Sequence, residues 1–140
     1  MILWEGFILY AAVALYLFAA AFFLSGWVFQ SERRIAWGWR VYPWAFALHT
    51  LAITFRWAAS GHPPVVEPIE HAAAGAWFVS AVYFVSAWKR KELRPLGVVA
   101  ASVALVMLGG GIMAKNEIRP LPPPFQSNWL WVHVGFAWLS

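Results

Sequence analysis

Four histidines and no cysteine bound the chemistry open to this chain of 140 residues. Without thiols there is no disulfide, no thiolate zinc site, no redox dithiol and no covalent c-type heme attachment of the CxxCH kind. His133 stands in LPPPFQSNWLWVHVGFAWLS, residues 121–140, with Phe125, Trp129, Trp131, Phe136 and Trp138 around it. A neutral imidazole in a shallow, aromatic, partly dry setting suits an axial heme ligand. An interfacial histidine sharing an aromatic belt fits the same spacing, and spacing alone does not choose between the two. His49 is spaced by seven from both Tyr42 and Arg56, which keeps all three on one stripe of a helix. A cation and a histidine on one stripe are costly in lipid, so they are expected to face protein or a cavity. The functional reading of His49 is a heme ligand or a proton relay. The plain one is a hydrogen bond to a neighbouring helix, with Arg56 snorkelling to the interface.

The remaining motifs are weaker. His62 lies in Gly-His-Pro-Pro, a rigid turn. Glu67, Glu70 and His71 form a compact Glu-Pro-Ile-Glu-His string that could suggest a metal, yet a helix start explains both acids. Proline costs no intrahelical bond at the first helical position, and acids complement the dipole there. Gly109-Gly110-Gly111 follows no strand and precedes no Lys-Ser/Thr, so close helix packing is expected rather than phosphate binding. No nucleophile stands beside a base and an orienting group, which excludes a self-contained hydrolase.

The elements that position these residues are read from composition. The chain is 62% hydrophobic and only 11% charged, against roughly a quarter charged in a soluble domain. That places it in a lipid bilayer, as an integral membrane protein. The net charge of +4 then belongs to loops, and nucleic acid is not an expected partner. The 11 tryptophans exceed what interfacial belts obviously require. Backbone satisfaction in lipid, with no barrel-like alternation, leaves helices. The expected fold is all-α: one polytopic transmembrane bundle with spans at about residues 2–29, 37–60, 68–88 and 96–114. A fifth span begins at 129 and is incomplete at 140. Its twelve residues reach roughly 18 Å as a helix, against a hydrocarbon core of about 30 Å. Residues 30–34 form a polar turn and residues 89–95 a compact basic loop.

Orientation follows from the lysines and arginines. The first and third loops, with the start of the second span, hold Arg33, Arg34, Arg40, Lys89, Arg90, Lys91 and Arg94. The second loop holds none, and the fourth holds Lys115 and Arg119. The positive-inside rule therefore places the amino terminus and loops two and four outside. His62, His71 and His133 then lie at or near the outer face, with His133 roughly 7 Å below it. Only His49 lies deep.

The string Pro-Phe-Gln-Ser-Asn-Trp-Leu-Trp-Val-His-Val resembles the segment of CcsA-type (ResC-like) cytochrome c assembly proteins that carries their first external heme-ligating histidine. Upstream, Arg-Trp-Ala-Ala-Ser-Gly-His-Pro-Pro, residues 56–64, is similar to the family's arginine-tryptophan and serine-glycine-histidine motif. Glu70 falls where the family often has a glutamate. The resemblance implies a role in cytochrome c biogenesis: binding b-type heme at the outer face of a bacterial inner or thylakoid-type membrane and delivering it to apocytochrome c. It implies His133 as an axial ligand to the heme iron, with Trp129 and Trp131 lining the heme edge. It also implies a ResB/CcsB-type membrane partner. Arg56 would pair with a heme propionate, because an arginine fork suits a carboxylate. The family's tryptophan-rich signature and second external histidine would lie beyond Ser140. The expectation is therefore the amino-terminal part of a longer chain, or one completed by another polypeptide, that is not a heme lyase alone. Two rivals stay open: a membrane anchor of an electron-transfer complex with b-type heme ligated at His49, and a structural membrane subunit without a cofactor.

Overall fold

The computed structural model describes residues 2–63 and 66–114, with Trp129, Val132 and Phe136 beyond them. Among the described residues there is no strand. The elements are α1 (Ile2–Val28), α2 (Glu32–Ser60), α3 (Pro68–Lys89), a 3-10 helix (Lys91–Leu96) and α4 (Gly97–Met113). Two stretches, Trp4–Val28 and Lys91–Met113, are long and apolar enough to cross a membrane. The helices α2 and α3 carry more polar groups, some of them exposed, as at Arg40 and His71, and some turned inward. His49, Arg56, Glu70 and Ser80 are all buried.

Local chemistry sets where the helices stop. Gln30 takes a positive φ of 49° and lets the chain reverse within three residues. The Ser31 N–H then reaches the Gly26 carbonyl at 2.8 Å. As a result α2 begins at Glu32 rather than near Trp37, and Arg33 and Arg34 are helical. The far end of α2 closes on Gly61 in the left-handed region at φ 73°, its N–H bonded to the Trp57 carbonyl. A β-carbon disfavours that conformation and glycine does not. Glu67 and Glu70 form a capping box around Pro68 at the start of α3, so the two acids act as helix starters. The basic stretch after α3 is also not an open loop. Lys91–Leu96 winds as a 3-10 helix directly into α4.

The helices form two close pairs, α1 with α2 and α3 with α4, with α4 also against α1. Small residues make the pairing possible. Phe23 of α1 fills notches at Gly38 of α2 and Gly97 of α4, where a β-carbon would meet its ring. Around it Tyr42 and Tyr83 pack edge-on with ring centres 4.9 Å apart. Of the three consecutive glycines on α4, only Gly111 packs tightly, against Ala72 and Ile69 of α3. A β-carbon at Gly109 or Gly110 meets nothing within 4 Å among the described residues. The close-packing role expected of the run thus belongs to Gly111.

Candidate functional site

Polar side chains occupy two levels of the bundle above the aromatic layer of Phe23, Tyr42 and Tyr83. The stripe of Tyr42, His49 and Arg56 on α2 faces inward along its whole length, with exposures of 0%, 0% and 7%. At the middle level, the Tyr16 hydroxyl of α1 donates to Ser80 Oγ of α3 at 3.1 Å and lies 3.4 Å from Nδ1 of His49. The two rings meet edge to face at 5.9 Å. Nearby, the Trp77 indole N–H of α3 donates to Thr50 Oγ1 at 2.8 Å. His49 is therefore tied to neighbouring helices through Tyr16, and its ring is fully enclosed.

The next level, beside the start of α3, holds a three-helix ion cluster. Arg56 Nε donates to Glu70 Oε1 at 2.8 Å and Arg56 Nη1 donates to Glu5 Oε1 at 3.1 Å. The three residues come from α2, α3 and α1, and each is at least nine-tenths buried. A charge in the bundle interior needs such a partner, because removal from water costs several kcal/mol per ion, of order. Glu70 is the best supplied of the three. Its second oxygen accepts the backbone N–H groups of Val66 at 2.9 Å and Glu67 at 3.1 Å. One carboxylate thus caps α3 and holds Arg56. Arg56 Nη2 is buried with no hydrogen-bond partner among the described residues.

The other candidates fall as follows. His62 is buried at 4% exposure, and its Nδ1 lies 2.9 Å from the Pro63 carbonyl. Ser60 donates its hydroxyl to the His62 carbonyl at 2.9 Å. His71 is exposed on the first turns of α3 with Nδ1 3.1 Å from the Glu67 carbonyl. In the Glu-Pro-Ile-Glu-His string Glu70 is engaged by Arg56 and by the backbone of Val66 and Glu67, and no group of three metal-ligating side chains occurs among the described residues. Trp129 is helical and 78% exposed. His133 and Trp131 lie outside the described residues, so the expected axial ligand has no geometry here.

Sequence reasoning read Arg56 as a snorkelling cation or a propionate partner and Glu70 as a helix-start acid, and it gave Glu5 no role. It missed that the three join. The signal was available, since an intramembrane arginine and two intramembrane glutamates at matching depth are expected to pair. Tyr16 and Ser80 carried no comparable signal, because an uncharged hydroxyl in a helix is ordinary.

The geometry gathers Glu5, Arg56, His62 and Glu70 at one end of the bundle. Gly111 packs on Ile69 and Ala72, which brings the last turn of α4 to that same end. Comparison with known proteins names the pattern. The chain is 32% identical over 88 residues to a cytochrome c biogenesis protein CcsA from Lobularia maritima. It is 30% identical over 104 residues to CcsA from a Synechocystis species and 32% over 95 residues to CcsA from Pyropia yezoensis. The chain is CcsA-like. The matched stretches cover 61%, 69% and 65% of this chain, and 27%, 31% and 30% of those proteins. The CcsA-like chain therefore spans under a third of the length of the relatives it matches. No family model matches it, and no solved structure does. Together with its apolar helices, this likeness makes it an integral membrane protein.

Proposed function

We propose that this CcsA-like chain works in cytochrome c biogenesis, holding heme at the outer face of the membrane for delivery to apocytochrome c as part of a larger chain or complex. The observation that carries the reading is the convergence at one end of the bundle. The motif residues Arg56, His62 and Glu70 gather there, and α4 ends there. All four helices cross the membrane in this reading, and a fifth span begins at Trp129. The helices α2 and α3 qualify because their charges and their histidine at mid-depth are buried against protein. The amino terminus and loops two and four face outward, with the cationic loops inside. The membrane is a bacterial inner membrane or a thylakoid-type one.

Heme here is cargo, b-type and not covalently held. His133 supplies an axial imidazole to the iron, and Trp129 and Trp131 line the macrocycle edge. Arg56 suits a propionate because its Nη2 has no hydrogen-bond partner among the described residues and its guanidinium is already fixed in place by Glu70. A ResB/CcsB-type partner, or further CcsA-like sequence with a tryptophan-rich segment, supplies the second ligand. An internal b-type site at His49 would require the enclosed ring to lose its packing against Tyr16.

The test is an absorption spectrum of the purified chain with added heme. The expected result is a Soret band that His133→Ala removes or shifts and His49→Ala leaves in place. A band that survives His133→Ala unchanged overturns the outer-face site, and one lost only in His49→Ala moves heme to the interior.

A further inference from the structure

The bundle carries a groove on the side away from the ion cluster. It measures about 520 Å³ and runs between α3 and α4, with Phe78 and Val82 on one wall and Val99 and Val103 on the other. Leu93 and Leu96 of the 3-10 helix close its lower end. From Phe78 to Ser86 it extends about 12 Å along α3. Its walls are almost wholly apolar, and Val82 and Val99 are each more than half exposed. Immediately below its closed end the chain turns through Lys89, Arg90 and Lys91, all exposed. Among the described residues no carboxylate lies within ion-pair distance of these three cations. The ion pairs among the described residues are both made by Arg56.

We propose that this groove holds an acyl chain of one anionic phospholipid whose phosphate rests on Lys89, Arg90 and Lys91. Two features of the site select that occupant over a transmembrane helix. A crossing helix needs about 30 Å of continuous wall, whereas this groove is shorter and is stopped by Leu93 and Leu96 at the interface. A lipid tail also ends at the interface, and its headgroup then meets a basic cluster next to a membrane helix, which is the chemistry anionic lipids bind. Glu92 interrupts the run and lines a polar pocket with Glu32, and Lys91 borders the same pocket without an ion pair to either acid. The site prefers an anionic headgroup to a zwitterionic one through three exposed cations that have no carboxylate partner among the described residues.

The test is native mass spectrometry of the full chain in detergent with equimolar phosphatidylglycerol and phosphatidylcholine. One retained phosphatidylglycerol is expected, with Lys89→Gln/Arg90→Gln/Lys91→Gln reducing its preference over phosphatidylcholine by about tenfold or more. Val82→Phe/Val99→Phe fills the groove from two exposed positions and is expected to abolish retention of either lipid. Equal retention of both lipids by the unmodified chain, an unreduced preference in the triple-Gln variant, or retention that survives Val82→Phe/Val99→Phe, overturns the site. The absence of cysteine allows a second arm, with a benzophenone-maleimide on Val99→Cys irradiated in native membranes. A lipid adduct supports the proposal, and an adduct with a second polypeptide overturns it by giving the groove to a protein helix.

Discussion

At the scale of single residues, the molecule's polar chemistry is concentrated in Arg56 and its two acids, and the acids are not equivalent. Glu70 answers Arg56 and two backbone N–H groups, while Glu5 meets Arg56 through one contact. Removing Glu70 strands a buried guanidinium nitrogen and opens the cap of α3. Glu70→Ala is therefore expected to destabilise the protein by about 3–5 kcal/mol. Glu5→Ala leaves Arg56 with its stronger partner and is expected to cost about 1–2 kcal/mol. Thermal unfolding of both variants in the same detergent checks the order; equal losses would mean that the cap contributes nothing. The spacing of Tyr42, His49 and Arg56 made the buried side of α2 legible in the sequence, because lipid tolerates neither charge nor imidazole on its own side. Their partners were less legible. Glu5 lies 51 positions from Arg56 along the chain, and no local pattern links two residues so far apart.

At the scale of elements, the breaks between helices were legible where backbone chemistry enforces them. Pro68 with its flanking acids gave the start of α3, and Gly61-His62-Pro63 gave the end of α2. The first turn was read too long, since Glu32, Arg33 and Arg34 look like a polar loop but sit on the exposed side of the first turn of α2. Polarity identifies the side that meets water and does not by itself distinguish a loop from a helix end. The glycines teach a similar lesson. The conspicuous run at 109–111 contains one packing residue, whereas isolated Gly97 is tightly confined. A β-carbon there would collide with the Phe23 ring and the Tyr83 hydroxyl. Gly97→Ala is expected to cost about 1–3 kcal/mol through overpacking. Gly110→Ala, which meets open space among the described residues, is expected to be neutral or to gain up to about 1 kcal/mol from helix propensity. Denaturation midpoints of the two variants provide the check, and a larger loss at Gly110 would contradict the packing described.

At the scale of the whole molecule, the all-helical class and the membrane environment were legible from composition. The heme site was legible only through motif resemblance, since His133 and Trp131 lie outside the described residues. Orientation makes its own measurable claim. With no native cysteine, Lys91→Cys and Lys115→Cys each report one loop on a silent background. An impermeant maleimide added outside intact cells is expected to label Lys115→Cys and spare Lys91→Cys until the membrane is opened. The reverse pattern would invert the bundle and put the heme site on the wrong side. The Glu5–Arg56–Glu70 cluster also bears on how the protein is made. Domains emerge amino-terminal end first during synthesis, so α1 and α2 pair before α3 exists. On the proposed four-span reading, Glu5 is then the only one of Arg56's two acids available while the second helix enters the bilayer. The weaker acid of the mature cluster acts as an escort at birth, covering the arginine's charge until Glu70 arrives with the third helix.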